Sequence, residues 1–299
     1  MIISVNKSNL WWHKKRPNLI FFLACDIQNA TRYKSKNVSL WMYAINDYLT
    51  TVEKYSEKLF SDLNIENHHW KRLGDETVIA LLPKNMEDLF RLYHGVLEVF
   101  KHFRKSTVSV NFQGKFRLFC AGYHYSDSIL IIDQRGTRSD YKEYKEFVSC
   151  DYSNYRFSQL LVSAKPNKKR KINEDFIGDY KMYDFIGPDM DIGFRISKYA
   201  DVTKIAVSDK VAYIYESMIS KHGIAFGIGE GEVLKGVWKG HKYPAIYMYK
   251  KEQTSIRTSI INKLEQIYTK MSTLDIMKRF IKKTKSLLQE PGSKGGKSA

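Results

Sequence analysis

The sequence predicts an α+β fold, in which helices cover one side of an antiparallel β-sheet. Three observations support this fold class. The run 19–27 is continuously apolar and has the length of a buried strand. The segments 39–63 and 86–103 repeat their apolar residues at the spacing of a helix. Between them, Gly74-Asp75 separates two short strand-like runs and is typical of a hairpin turn.

The elements of the first half follow a recognisable order along the chain. They are a strand at 19–27, a helix at 39–63, strands at 68–73 and 77–82, a helix at 86–103, and strands at 116–124 and 128–133. The order strand, helix, strand, strand, helix, strand is the βαββαβ pattern of a ferredoxin-like domain. Because many unrelated functions use this pattern, it does not by itself indicate an activity.

The second half is less regular. We predict one domain over 18–252, after a lead-in at 1–17 and before a C-terminal helix at 253–289 and a disordered tail at 290–299. The stretch 134–180 is polar and rich in tyrosine, which predicts an irregular insertion. The elements expected after it are a helix that includes 191–200, a strand at 204–208, a helix from Ser208-Asp209 to about Ser220, and strands at 232–238 and 245–249.

Composition limits the class of protein. A chain of 299 residues can bury a substantial core. Its three cysteines are widely spaced and form neither a disulfide framework nor a zinc motif. No run approaches the roughly 18–20 consecutive apolar residues that span a bilayer, and the first residues lack the pattern of a signal peptide. We therefore expect a soluble, cytoplasmic protein without membrane insertion.

The formal net charge of +17 is concentrated in two segments. The run 165–171 carries five positive charges and no negative ones, and 251–299 carries eleven Lys and Arg against four Asp and Glu. Two interpretations are open, a nucleic-acid surface or solvated charge around a site for a polyanionic small molecule. No zinc-finger or RNA-recognition signature accompanies the charge, so we expect no specific nucleic-acid partner.

Two acidic turns about fifty residues apart are the strongest chemical signal. Asp26 ends the apolar run 19–27, and Asp75 lies between two strand-like segments. Acids at strand ends are costly to bury unpaired, and a divalent cation is the usual solution. Two such aspartates on adjacent strands can hold two Mg²⁺ or Mn²⁺ ions against a triphosphate, which is the chemistry of phosphoryl or nucleotidyl transfer.

Motifs in this order and spacing resemble those of the class III nucleotidyl cyclases, whose members include adenylyl and guanylyl cyclases. The resemblance covers about residues 19–250. The matching motifs are Asp26-Ile27-Gln28-Asn29-Ala30-Thr31, like D-I-x-x-F-T; Lys71-Arg72-Leu73-Gly74-Asp75, like K-x-I-G-D; the segment from Asp184 through Gly187 and Asp191 to Arg195, like D-x-x-G-x-x-x-N-x-x-x-R; and Leu234-Lys235-Gly236, like the late V-K-G element.

The resemblance implies a role for each matching residue. Asp26 and Asp75 would be the metal ligands, with the carbonyl of Ile27 as a third. The triphosphate would lie against the backbone amides of Ile27, Gln28, Asn29, Ala30 and Thr31, and Lys235 or its neighbour Lys239 would bind phosphate. Arg195 would stabilise charge on the α-phosphate. In the family these two halves come from different subunits, which implies composite sites in a homodimer.

The identity of the base stays open. Asp191 stands where the family has a ribose-contacting asparagine, and Tyr33 places a large ring near the nucleotide, which favours a small base. The sequence of residues 186–195 most resembles the corresponding segment of the pyrimidine cyclases of bacterial Pycsar anti-phage systems. These enzymes convert UTP or CTP to cyclic UMP or cyclic CMP, which activates an effector. Lys71 and Asp184 occupy the family's adenine-reading positions and favour an adenylyl cyclase instead, although they could also form a simple ion pair.

A non-enzymatic alternative remains beside these. The basic loop and tail could belong to a nucleotide- or RNA-binding module. Glu76, next to Asp75, is expected to be structural or solvated.

Overall fold

The computed structural model of the protein describes residues 18–36, 40–104, 112–123, 129–132, 155–161, 181–219, 224–237, 240–250 and 260–270. Within these ranges the strands are β1 (Asn18–Ile27), β2 (Glu66–Leu73), β3 (Glu76–Leu82), β4 (Gly114–Tyr123), β5 (Ile129–Ile132), β6 (Tyr155–Leu161), β7 (Lys181–Ile186), β8 (Ile205–Val207), β9 (Ile224–Val233) and β10 (Lys242–Lys250). The helices are α1 (Ala30–Lys36), α2 (Trp41–Asp62), α3 (Met86–Phe103), α4 (Pro188–Arg195), α5 (Asp209–Ile219) and α6 (Ile260–Lys270), and a 3₁₀ turn follows α4 at Ile196–Tyr199.

The chain divides into two compact units. One unit comprises Leu19–Ala121 and Asp191–Ala299, and the other comprises Met1–Asn18 and Gly122–Met190. In the second unit, β6 pairs with β5 in parallel and with β7 in antiparallel orientation. The predicted irregular stretch 134–180 therefore contains a strand, and its other residues lie outside the described ranges.

The larger sheet has the order β2-β3-β1-β4-β8-β10-β9. Its first four strands, together with α2 and α3, confirm the predicted βαββαβ order, because β1 lies between β3 and β4 as in a ferredoxin-like sheet. One pair departs from the antiparallel expectation, since β4 and β8 are parallel. A parallel pair needs a long crossover connection, and the chain between these two strands is long enough to provide it.

The two long helices of the ferredoxin-like half form for the reasons that their patterns indicate. Along α2 the buried residues recur at helical spacing, and they include Ile45, Leu49, Val52 and Phe60. Asn85 caps α3 by accepting a hydrogen bond from the amide of Asp88 at 2.9 Å. Glu87 and Asp88 in the first turn of α3 complement the positive end of its dipole.

Glu53 on α2 anchors the β2–β3 hairpin to that helix. It accepts hydrogen bonds from Nε of Arg72 and from the Thr77 hydroxyl, both at 2.6 Å, and Nε2 of His69 lies 3.1 Å away. Burial alone would raise the pKa of Glu53, but these donors outweigh it and lower the pKa to about 2. The hairpin that carries Asp75 is thereby held to the body of the domain.

A buried carboxylate anchors the C-terminal helix. Asp209, at the start of α5, accepts hydrogen bonds from the hydroxyls of Tyr243 and Tyr268, and the latter residue belongs to α6. The Ser208 hydroxyl accepts from the amide of Val211 at 3.4 Å, as expected for a residue that caps this helix. Of the predicted helix at 253–289, the structure describes 260–270.

The prediction for the last hairpin was wrong in one respect. We expected a strand at 232–238, but β9 ends at Val233, and a turn bonded from the amide of Val237 to the carbonyl of Leu234 follows. The glycines at 227, 229 and 231 concealed the true strand, because alternate glycines remove the apolar pattern. The predicted lead-in at 1–17 and tail at 290–299 lie outside the described residues.

Candidate functional site

The two predicted metal ligands meet at one end of the sheet. In the register of β1 and β3, Asp26 lies opposite Glu76, and the amide of Ile27 donates to the carbonyl of Asp75 at 3.2 Å. Gly74 adopts a positive φ of 68°, which a hairpin turn of this kind needs and which glycine adopts without strain. The β2–β3 turn and the end of β1 are thus adjacent, although Asp26 and Asp75 are 49 positions apart in the sequence.

The oxygen atoms of Asp26, Asp75 and the carbonyl of Ile27 are ligands of the kind that a hard divalent cation prefers. Two carboxylates beside a backbone carbonyl form an all-oxygen set, which Mg²⁺ and Mn²⁺ prefer to sulfur or imidazole ligands. Asp26 and Asp75 are both partly exposed, so an ion can reach them from solvent. Among the described residues, no group of three or more His, Cys, Asp and Glu side chains is arranged to hold a metal. A metal bound here would therefore need oxygens from the backbone, water or substrate.

Each of these aspartates forms an ion pair with a lysine that the sequence did not single out. Nζ of Lys115, on β4, lies 2.6 Å from Oδ2 of Asp26. Nζ of Lys34, on α1, lies 3.2 Å from Oδ1 of Asp75. The partners are distant in sequence, and so no local pattern could have indicated these pairs.

Glu76 lies beside the aspartates but has a buried partner of its own. Burial raises the pKa of Glu76, with smaller upward contributions from Asp26 and Asp75, while Arg117 opposes the shift. Nη2 of Arg117 donates to Oε1 of Glu76 at 2.5 Å, and Arg117 is 1% exposed. Of the two roles expected for Glu76, the structure supports the structural one.

Arg117 also bonds α4, the helix that carries Asp191 and Arg195. Its Nε donates to the carbonyl of Gly193 in α4 at 2.8 Å. Gly193 packs directly on Phe119, where an added Cβ would lie 2.2 Å from the ring. One buried guanidinium thus connects β3, beside the aspartates, to the centre of α4.

Asp191 and Arg195 are both exposed on α4. Each is two residues from Gly193, which places both on the side of the helix opposite its contact with β4. Their separation of four residues puts them one turn apart on one face. An exposed guanidinium and carboxylate in this arrangement are available to a ligand or to a second protein chain.

The expected phosphate-binding amides lie in the turn between β1 and α1. The amide of Ile27 bonds Asp75, and the amide of Gln28 donates to the carbonyl of Gln113 at 2.9 Å. Both belong to the backbone network that shapes the turn. Asn29 adopts a positive φ of 60° immediately before α1, and Ala30 and Thr31 open that helix. The contact of a triphosphate with the amides of residues 27–31 stays a prediction.

The other predicted ligands occupy separate places. Lys235 is exposed in the turn after β9, where Gly236 has a φ of 76°, and its alternative Lys239 lies outside the described residues. Tyr33 is half-buried, with its ring edge-to-face with Phe112 at 4.6 Å between centroids. The contact with Phe112 therefore explains the partial burial of the Tyr33 ring.

The two expected base-reading residues belong to different units. Nζ of Lys71 lies 4.3 Å from the ring centroid of Trp70, at a point where the β2–β3 pairing shifts register. Asp184 lies on β7 opposite Phe157, and its side chain is outside the described set. The proposed contact of these two residues with a base stays a prediction.

No helix among the described residues is long and apolar enough to cross a membrane.

Comparison with known proteins gave structural neighbours but no sequence matches. No protein-family model matches the chain, and no curated protein matches it either. Similar solved structures include the adenylyl cyclase CyaB from P. aeruginosa (12% identity, 81% of this chain and 98% of that one, TM-score 0.47). Others are the guanylate cyclase domain of RhGC from Catenaria anguillulae in complex with GTP (12%, 79% and 98%, 0.46) and the guanylyl cyclase Cya2 (10%, 82% and 99%, 0.43).

Proposed function

We propose that this protein is a class III nucleotidyl cyclase that converts a nucleoside triphosphate to its 3′,5′-cyclic monophosphate and pyrophosphate. The observation that carries the proposal is the meeting of Asp26 and Asp75 at the ends of neighbouring strands, where they offer an oxygen site for divalent cations. The motif resemblance supports the same chemistry, because these two residues stand at the family's metal positions.

The chain's own residues have distinct tasks in the proposed reaction. Asp26, Asp75 and the carbonyl of Ile27 would hold two Mg²⁺ or Mn²⁺ ions, which lower the pKa of the ribose 3′-hydroxyl and neutralise the β- and γ-phosphates. The amides that open α1 would orient the triphosphate. Arg195 would bind the α-phosphate as its charge develops, a task that suits a guanidinium group. Asp191 would accept a hydrogen bond from the ribose.

We further propose that two chains share each site. Asp191 and Arg195 are exposed and face away from the β4 contact of α4, so they are free to act in a site whose aspartates belong to a second copy. A symmetric dimer of this kind contains two composite sites. A monomer would then lack half of each site.

The substrate class that we propose is a pyrimidine triphosphate, UTP or CTP. The bulk of Tyr33 near the nucleotide favours a small base, and the sequence of residues 186–195 resembles that of pyrimidine cyclases. By the same resemblance, cyclic UMP or cyclic CMP would act as a second messenger in bacterial anti-phage defence and reach a separate effector. An adenylyl cyclase is the second candidate, favoured by Lys71 and Asp184.

The test is an assay with each of the four labelled triphosphates and Mn²⁺. A cyclic pyrimidine nucleotide as the main product supports the proposal, and cyclic AMP as the main product supports the second candidate. Asp26→Asn and Asp75→Asn should each lower product formation below about one hundredth, because the metal site loses a charged ligand. Circular dichroism should show an unchanged fold. Full activity in either variant contradicts the proposal.

Mixing two inactive variants tests the composite site. Asp75→Asn and Arg195→Ala damage opposite halves, so a heterodimer retains one intact site. Random exchange of subunits at equal concentration should restore roughly a quarter of the wild-type rate, since half of the dimers are mixed and each has one working site. An inactive mixture, with subunit exchange demonstrated by differently labelled chains, contradicts the shared site.

A further inference from the structure

Each of the two candidate metal ligands forms an ion pair with a lysine from another element of the domain. Lys115 reaches Asp26 from β4, and Lys34 reaches Asp75 from α1. The side chains of all four residues are between 23% and 29% exposed. The two ion pairs are therefore sheltered but open to exchange with solvent.

A divalent cation and these ammonium groups compete for the same oxygens. Nζ of Lys115 lies 2.6 Å from Oδ2 of Asp26, which is the contact distance of a direct hydrogen bond. A cation that coordinates that oxygen repels the ammonium group and displaces it. Partly exposed ion pairs contribute little to stability, so the lysine can leave at small cost.

A displaced lysine stays close to the site, because its backbone is fixed in a strand or a helix. Lys34 is further restrained, since its Nζ lies 5.3 Å from the ring centroid of Trp41. A triphosphate bound through the metal brings several negative charges to the same place. A lysine ammonium is a compact charge that binds phosphate well.

We propose that Lys115 and Lys34 are triphosphate-binding residues that neutralise the metal-site aspartates before the metal–triphosphate complex binds and then exchange those carboxylates for phosphate. The inference rests on the proposed metal site at Asp26 and Asp75. It adds two phosphate ligands that the motifs do not contain.

The test measures binding rather than turnover, with the 299-residue chain and two probes. The first probe is Mn²⁺ alone, followed by electron paramagnetic resonance of the free ion. The second is inorganic tripolyphosphate in the presence of saturating Mn²⁺, followed by calorimetry. Lys115→Met should tighten Mn²⁺ binding by roughly threefold to tenfold, because one positive charge beside the ion is removed. The same variant should weaken tripolyphosphate binding by at least about fivefold.

Lys34→Met should change both affinities in the same directions but by less, because its ion pair is longer. Lys115→Arg keeps the positive charge beside Asp26, so both affinities should stay within about twofold of the parent. Lys84→Met is the matched control and should change neither affinity. Nζ of Lys84 lies 3.2 Å from Oε2 of Glu66, and this ion pair is at the end of the β2–β3 hairpin opposite to Asp75.

The proposal predicts that Lys115→Met tightens Mn²⁺ binding and weakens tripolyphosphate binding. If Lys115 had a purely structural role, its loss would weaken the binding of both probes or of neither. Weaker Mn²⁺ binding, or unchanged tripolyphosphate binding, in Lys115→Met overturns it. The outcome is distinguishable from failure of the proposed function. If the predicted binding changes occur but no triphosphate is cyclised, the lysine exchange stands and the cyclase assignment fails.

Discussion

Replacing Arg117 with methionine would leave Glu76 buried without its cation. In the wild-type chain the Arg117 guanidinium bonds Oε1 of Glu76 and the carbonyl of Gly193, and the Glu76 side chain is 15% exposed. Methionine fills a similar length but donates no hydrogen bond. Removing one partner of a buried pair typically costs about 3–5 kcal/mol, because the remaining charge is uncompensated.

The cost should depend on pH, and its sign follows from Glu76. Burial already raises the pKa of Glu76 from 4.5 in spite of Arg117. A carboxyl with a raised pKa stabilises the fold below its unfolded pKa, and this contribution is lost as the pH rises through the folded pKa. Without Arg117 the pKa of Glu76 in the folded state rises further, and each increase of one in that pKa lowers the free energy of unfolding at neutral pH by about 1.4 kcal/mol. The variant should therefore be less destabilised at pH 5 than at pH 7.5.

Urea unfolding followed by circular dichroism at pH 5 and pH 7.5 measures both quantities. We expect the difference in free energy of unfolding between wild type and Arg117→Met to be about 3–5 kcal/mol at pH 7.5 and smaller by at least about 1 kcal/mol at pH 5. In Arg117→Met combined with Glu76→Gln, the pH dependence should disappear. A loss below about 1 kcal/mol, or an equal loss at both pH values, would refute the reasoning.

Two further predictions concern the elements that position the site. Gly193→Ala should destabilise the protein by about 1–3 kcal/mol in urea unfolding, because the new Cβ would overlap the Phe119 ring and displace α4; stability equal to wild type would contradict the close contact. The pKa of Glu53 is lowered to about 2 in the folded protein, from 4.5 when unfolded. Glu53 therefore stabilises the fold above pH 4.5, and this contribution is lost as the pH falls through about 2. Glu53→Gln should therefore lose less stability than wild type between those pH values in an acid titration of the circular dichroism signal, and parallel titration curves would exclude this role.

The sequence predicted the ferredoxin-like half well because its signals are local. The apolar run of β1 and the helical spacing of α2 and α3 each lie within one element, and Gly74 marks the hairpin between β2 and β3. Predictions failed where that pattern is weak. Strand β6 lies in a polar segment, and alternate glycines interrupt β9.

The candidate site was predicted in its parts but not in its connections. Asp26 and Asp75 are recognisable because acids follow apolar strands. Lys115, Lys34 and Arg117 carried no signal, since a single basic residue within a strand or a short helix looks incidental. Their importance depends on partners forty or more residues away.

The sequence by itself determined which residue types stand at the ends of β1 and of the β2–β3 hairpin, and it predicted the main strands and the two long helices of the ferredoxin-like half. Periodicity and turn chemistry act over a few residues, so they are legible without a structure. Only the tertiary structure decided that Lys115 neutralises Asp26, and that Arg117 joins Glu76 to α4. Such contacts depend on the order of strands in the sheet and on the packing of a helix against it. No local pattern encodes them.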